Sequence, residues 1–271
     1  MKKVLLFVSG AMLLTNVSFA QYDEEPARGR QHGPASYTPW RFGVYIAPNM
    51  SWMKPTNSKS NDGMYRVNND GSKVGFAWGL MADYQFSANY AIETGFNINS
   101  TGGIISTSIV PAQIPTGESY ISTTVFDYNL QYIEVPFNLK LKSDGIAGGL
   151  QLFGQLGASA GVNLSKKATY TINYVDDNGD TRVLTGDRER LTGNLTVSPL
   201  LFALNVGGGV EYPIADRLSI YCGVIFNNGF APDVTNPANY QFDYVNTAVA
   251  PRFRDGNTRQ NSIALRLGLI F

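Results

Sequence analysis

Apolar and polar residues alternate along eight stretches of this chain, each about ten residues long. One side of each stretch carries Leu, Ile, Val, Phe, Tyr or Trp, and the other side carries Gly, Ala, Ser, Asn, Gln or charged residues. A period of two residues predicts β-strands whose two faces meet different surroundings. The eight predicted strands span residues 41–50, 75–86, 90–99, 128–142, 149–162, 200–213, 217–227 and 262–271.

The connections between these predicted strands alternate strictly between short and long. The short ones lie at residues 87–89, 143–148 and 214–216, and the long ones at 51–74, 100–127, 163–199 and 228–260. Outer-membrane barrels have tight periplasmic turns and longer outer loops, and a tilted strand of about ten residues crosses a bilayer. The pattern therefore predicts an all-β fold, an eight-stranded antiparallel transmembrane β-barrel with both termini in the periplasm.

The two faces of the strands differ in residue size as well as in polarity. The bulky face carries no charge and suits lipid, whereas small residues suit the narrow interior of eight converging strands. A soluble lipocalin-like barrel or a β-sandwich would place the bulky face inside instead. The charged residues predicted to point into the lumen are Arg41, Asp83, Glu93, Glu134, Lys140, Glu211 and Arg266.

The start of the chain predicts export. Residues 1–20 contain two lysines, a short apolar run and small residues at the end, which is typical of a cleaved signal peptide. Residues 21–40 are polar and proline-rich and predict a flexible periplasmic linker, so the barrel domain spans residues 41–271. We therefore expect the protein in the bacterial outer membrane, surrounded by its lipid.

Composition excludes several kinds of chemistry. Lys+Arg and Asp+Glu are equal at 21 each, which gives no electrostatic basis for binding nucleic acid. The single histidine, His32, lies in the predicted linker, and the single cysteine, Cys222, rules out an internal disulfide. We expect no catalytic, cofactor or metal site, and hence no enzyme.

The predicted lumen charges have two interpretations. They form either an ion or proton path, or a structural network that fills the lumen. A buried charge is costly unless it is paired, so we favour the structural network. The acidic turn "DDNGD" at 176–180 likewise suits either calcium or a hairpin tip, and its Asn178-Gly179 pair favours the hairpin.

Two segments resemble known outer-membrane proteins. Residues 263–271, with Gly268 and the final Phe271, resemble the C-terminal signal that the barrel-assembly machinery recognises. The segment "YIEVP" at 132–136 resembles PorT-like outer-membrane β-barrels, and the resemblance extends over about residues 41–271. It implies an accessory role in the cell envelope, with secretion-system proteins as partners. Pro136 itself predicts a bulge or another irregularity in its strand.

The long loops support an alternative function. The fourth loop places aromatic residues beside arginines, a composition that suits recognition of proteins or glycans. An outer-surface binding or adhesion barrel would use this surface for an extracellular ligand, although the loops can also simply extend the strands as hairpins. The candidate residues are Tyr240, Phe242, Tyr244, Arg252 and Arg254.

Overall fold

The computed structural model describes residues 39–56, 58, 65–113, 120–191, 196–215, 217–231, 234–235 and 258–271. The predicted signal peptide and almost all of the predicted linker lie outside the described residues. Among the described residues, no helix has the length and apolarity that would let it cross a bilayer. The described helices are two short 3-10 turns, Pro111–Gln113 and Ala147–Gly149.

The described part of the chain forms eleven antiparallel strands. Eight of them close a ring in the order β1-β2-β3-β4-β5-β8-β9-β11, and β11 pairs again with β1. The remaining strands lie off the ring, because β6 pairs with β5 and the two-residue strand β7 pairs with β10. The strands β1 to β11 are Trp40–Pro55, Tyr65–Gln85, Tyr90–Ile109, Tyr120–Lys142, Gln151–Val175, Thr181–Arg190, Thr196–Val197, Leu200–Ala215, Leu218–Gly229, Val234–Thr235 and Thr258–Ile270.

The ring closes along its whole height, which confirms the predicted eight-stranded barrel. The register of β1 with β11 runs from Gly43 opposite Ile270 to Pro55 opposite Thr258. At the end of the barrel that carries Trp40 and Phe271, which we expect to face the periplasm and call the periplasmic end, Phe271 N donates to Phe42 O at 2.7 Å and Phe42 N donates to Phe271 O at 3.0 Å. The last residue thus completes the barrel wall, so neither β1 nor β11 has a free edge along this seam.

The strands are longer than the bounds that the alternation predicts. The stretches 51–74, 100–127 and 163–199 were predicted as long loops, but β1 to β5 continue well into them. The longest strand, β5, has 25 residues. A tilted strand needs only about 9–11 residues to cross a bilayer, so these strands extend far beyond the membrane.

Strand β4 shows where the membrane ends. From Leu141 to Ile133 its outward-facing residues are apolar, and from Gln131 to Asp127 they are polar. On the inward face the change is opposite, from Lys140 and Glu134 below to Tyr132 and Leu130 above, all of them buried. Along β4 the charged inward residues therefore lie within the membrane and the apolar ones above it.

Aromatic rings mark both edges of the lipid-facing belt. Trp40 and Tyr84 pack at 4.9 Å near the periplasmic end. At the opposite edge, the rings of Trp52 and Phe226 stack at 6.2 Å. Aromatic girdles of this kind sit at the level of lipid head groups in outer-membrane barrels.

The predicted irregularity at Pro136 is an interruption of pairing. Thr94 pairs with Phe137 and Asn97 pairs with Glu134, so the register of β3 with β4 is the same on both sides of the gap. The facing glycine, Gly95, has a φ of +147°, and a Cβ there would collide with the carbonyl oxygen of Leu80. Proline cannot donate to the ladder, and glycine supplies the backbone conformation that the interruption requires.

Candidate functional site

Lys140 is the centre of a buried charge network inside the membrane-spanning barrel. Its Nζ lies 3.1 Å from Asp83 Oδ2, 3.6 Å from Glu93 Oε2 and 2.6 Å from Glu211 Oε1. The rings of Phe153 and Tyr221 each lie 4.8 Å from this ammonium group. These side chains come from six strands of the wall, so Lys140 ties opposite sides of the barrel together.

Further cations extend the network in both directions. Arg266 Nη1 lies 3.1 Å from Glu93 Oε1, and its guanidinium lies 4.9 Å from the Tyr45 ring. Towards the periplasm, Arg41 Nη1 and Lys142 Nζ each lie 3.0 Å from Glu211 Oε2. The structure thus places Arg41, Asp83, Glu93, Lys140, Glu211 and Arg266 in one ion-pair network.

The seventh predicted lumen charge, Glu134, lies in the same lumen. Its Oε1 accepts a hydrogen bond from Asn99 Nδ2 at 2.9 Å. Lys142 was not among the predicted lumen residues, because it is the last residue of its predicted strand. It lies two residues from Lys140 and therefore on the same inward face. With Lys142 included, four cations and four carboxylates occupy the lumen, and their formal charges cancel.

Two glycines that face each other, Gly209 and Gly223, make room for the aromatic ring beside Lys140. Gly209 pairs with Phe153 on β5 and with Gly223 on β9. A Cβ added at either Gly209 or Gly223 would lie 2.8 Å from Phe153 Cζ. The Phe153 ring beside Lys140 therefore fits only because these two positions carry no side chain.

Little space is left beside the charges. A cavity of about 10 Å³ lies among Asn49, Asn97, Asn99, Glu134 and Arg266. This is about the room that one water molecule needs. The ion pairs below and this small polar cavity above favour the structural network over an ion path.

We expect the purified barrel to be electrically silent in planar lipid bilayers. The paired charges fill the lumen, so an ion would have to displace buried ion pairs to pass. Single-channel recordings over a range of voltages should show no steady steps above the leak of the bare membrane. Stable steps of nanosiemens size in many independent insertions would show that the lumen conducts.

Above the membrane, the barrel wall continues as a structure that we call the crown (residues 51–55, 65–73, 101–109, 120–132 and 165–191). Its interior is an apolar core in which Met53, Leu130 and Ile172 are at most 1% exposed. Tyr132 and Ile121 are fully buried in the same core. The second and third long connections therefore extend their strands as packed hairpins, as one of the two interpretations from the sequence proposed.

The acidic turn at 176–180 is the tip of the hairpin between β5 and β6. Asp176 Oδ1 accepts from the backbone N–H groups of Asp180 and Asn178 at 2.9 and 3.0 Å. Together with the Arg182 side chain, these N–H groups hold the pKa of the Asp176 carboxyl below its usual range. Arg182 lies 3.1 Å from Asp176 Oδ2 and 3.4 Å from Asp180 Oδ2. Its guanidinium thus engages carboxylate oxygens that a calcium ion would need as ligands. The geometry is that of the predicted hairpin.

Two groups of predicted residues remain. The structure describes the proposed assembly signal, but it does not describe the proposed loop surface. Gly268 lies directly opposite Tyr45, where a Cβ would come within 2.8 Å of the tyrosine Cβ, and Phe271 is 57% exposed at the periplasmic rim. Their recognition by the assembly machinery stays a prediction. The predicted loop surface lies outside the described residues, and so it stays a prediction too: Tyr240, Phe242, Tyr244, Arg252 and Arg254.

Comparisons with known proteins agree with this architecture. A family model described as outer membrane protein beta-barrel domain matches residues 19–199, more than half of the chain. No curated protein matches the chain in sequence.

Several solved outer-membrane proteins align with most of the chain at low identity. Neisserial surface protein A is 13% identical, with 85% of this chain and 96% of that chain covered and a TM-score of 0.37. Ail of Yersinia pestis, in complex with the heparin analogue sucrose octasulfate, is also 13% identical, covering 86% and 100% at a TM-score of 0.34. OprG of Pseudomonas aeruginosa is 10% identical, covering 86% and 94% at 0.35. At this level the likeness concerns the fold alone.

Proposed function

Because the chain belongs to the family of outer membrane protein β-barrel domains and resides in the bacterial outer membrane, we propose that it is a non-enzymatic interaction barrel. Its binding surface is the outer face of the crown, together with the loop that joins β10 to β11. The lumen network serves as a structural filling and does not transport solutes. The crown thus presents a rigid surface to the cell exterior.

The observation that carries this proposal is the apolar core of the crown. A barrel that needs only to sit in the membrane has no use for strands that continue beyond it. Here the strands continue above the membrane and enclose buried apolar residues such as Leu130 and Ile172, which form a core like that of a soluble protein. Preorganised surfaces bind with a smaller loss of conformational entropy than mobile loops do, which suits the crown to recognition.

The carboxylates of the lumen are engaged in the ion-pair network. The buried carboxylates within the membrane are engaged by lysine, arginine or asparagine partners, as Glu211 is by Arg41 and Lys142. General acid or base catalysis would need such a group to face a substrate.

The accessory role in protein secretion that the PorT-like resemblance implies is the competing hypothesis. It would act through the periplasmic turns, the tail or the loops, and of these the periplasmic turns serve only this hypothesis. The two hypotheses differ in which end of the barrel matters, so variants at the two ends separate them.

The test uses a deletion strain complemented with three forms of the full chain. The first is wild type, the second lacks residues 236–255 and has the hairpin 174–182 replaced by Asn-Gly, and the third has the periplasmic turn 144–149 shortened. Purified forms in nanodiscs are applied to an array of glycans and extracellular-matrix proteins, and the culture medium is analysed by mass spectrometry. Heat-modifiable migration in gels verifies that each form is folded.

We expect the crown variant to lose array binding while protein secretion stays at the wild-type level. The periplasmic variant should bind as wild type does. The proposal is wrong if the crown variant keeps every interaction of the wild type. Loss of secretion in the periplasmic variant alone would favour the PorT-like role instead.

A further inference from the structure

The outward faces of three strands change from apolar to basic at the extracellular edge of the membrane. On β1 the lipid-facing series ends with Met50 and Trp52, and the next outward residue is Lys54. On β5 the series ends with Leu164, 52% exposed, and is followed by Lys167. Lys54 is two residues from Trp52 and Lys167 is three residues from Leu164, which corresponds to about 7 and 10 Å of strand, so these cations lie just above the hydrocarbon.

The first basic pair crosses the seam of the barrel. Lys54 on β1 is directly opposite Arg259 on β11, and both side chains are exposed. Below Arg259 on the same face lies Asn261, opposite Trp52, and then the lipid-facing Ile263. Two like charges face each other here, directly above an interfacial tryptophan.

The second basic pair lies on the far side of the ring. Lys167 on β5 is directly opposite Arg190 on β6, and both are exposed. The other neighbour of Lys167 is the neutral Asn129 on β4. The carboxylates of β6 have other partners, because Glu189 accepts from Tyr170 Oη at 2.7 Å and Asp187 accepts from Thr169 Oγ1 at 3.1 Å.

Like charges directly opposite in a sheet destabilise it unless an anion lies between them. None of these four cations has a carboxylate within 4.0 Å among the residues that the structure describes. By contrast, Lys73 in the same region has a partner, Asp127, at 2.6 Å. Within the described part of the chain, the two pairs therefore have no carboxylate counter-ion at the level where lipid head groups lie.

We propose that each pair, Lys54 with Arg259 and Lys167 with Arg190, binds a phosphate of a lipid head group in the outer leaflet. Two adjacent cations can share one phosphate through charge-assisted hydrogen bonds, and the arginine supplies a bidentate fork. The acyl chains of the same lipid would lie along the belt beneath, on Met50 and Ile263 or on Val162 and Leu164. A free phosphate ion could contact the two cations, but it has no acyl chains to contact the apolar belt. The site is independent of what the crown binds.

The test measures how much phosphorylated lipid the barrel retains. Mature protein is placed in phosphatidylcholine nanodiscs with diphosphoryl lipid A, and bound lipid A is counted by native mass spectrometry. The variants are K54Q/R259Q and K167Q/R190Q. The matched control is R66Q/R182Q, which removes two exposed cations higher on the crown. A parallel arm uses lipid A whose phosphates have been removed, and another adds inorganic phosphate alone.

Wild type is expected to retain two molecules of diphosphoryl lipid A and each double variant one, because the affinity of the altered pair falls by about tenfold, and the control should retain the wild-type number. In phosphatidylcholine alone the variants should be at least as stable as wild type, because repulsion has been removed, so a loss of lipid cannot come from misfolding. Equal retention by all forms, or equal retention of dephosphorylated lipid A, would overturn the proposal. Stabilisation by inorganic phosphate to the same extent would overturn its assignment to a lipid.

Discussion

Replacing Lys140 with methionine is expected to lower the free energy of unfolding by about 3–5 kcal/mol. Methionine fills a similar volume between Phe153 and Tyr221, so packing changes little. The carboxylates of Asp83, Glu93 and Glu211 would lose their shared cation in a site where Lys140 is 0% exposed. Urea unfolding of the barrel in lipid vesicles, followed by tryptophan fluorescence, measures the difference.

The matched control is the same substitution at a lysine near the surface. Lys73 pairs with Asp127, but their side chains are 23% and 38% exposed, so Lys73→Met should cost at most about 1 kcal/mol. The double variant K140M/E211Q leaves three cations and three carboxylates in the lumen and should recover part of the loss. If K140M and K73M have equal effects, the network does not hold the barrel together.

Introducing arginine at Val135 is expected to destabilise the barrel by about 2–4 kcal/mol. Val135 is 53% exposed on the outward face of β4, among Ile133 and Phe137 in the lipid-facing belt. An arginine there must reach the head groups or lose its hydration. The same unfolding assay in vesicles gives the cost.

Val183 provides the comparison for Val135. It is 60% exposed on β6 of the crown, and arginine there should change stability by no more than about 0.5 kcal/mol. The two valines have similar exposure and differ only in what surrounds them. Equal costs at both positions would mean that the outer face of β4 does not contact lipid.

The sequence predicts the lower half of the barrel well, for a physical reason. Lipid excludes charge from one face of every strand, so charged residues such as Lys140 lie on the inward face within the membrane, next to outward apolar residues such as Leu139. In the crown the apolar residues lie on the inward face, because water surrounds the outward face. In β4 the apolar positions move from odd numbers at Val135 and Ile133 to even numbers at Tyr132 and Leu130. That change of phase marks the membrane edge and is visible in the sequence.

Sequence patterns cannot predict which charged residues form ion pairs with each other in the lumen. Lys140 meets Asp83, Glu93 and Glu211 because of the register and tilt of strands far apart in the chain. Periodicity tells which face a residue takes but not its height in the barrel. Phe153 was missed for a related reason, since a large ring on the inward face is accommodated only by the distant Gly209 and Gly223.

Spin labels along the outward face of β4 test most directly whether the apolar belt of the barrel faces lipid. A nitroxide is attached at one outward position at a time in a Cys222→Ser background, and collisions with oxygen and with a water-soluble nickel chelate are measured in vesicles. The positions are Asp127, Asn129, Gln131, Ile133, Val135, Phe137, Leu139 and Leu141. We expect oxygen to dominate from Ile133 to Leu141 and the nickel chelate to dominate from Asp127 to Gln131. Dominance of the nickel chelate along the whole series would contradict a barrel whose apolar belt faces lipid.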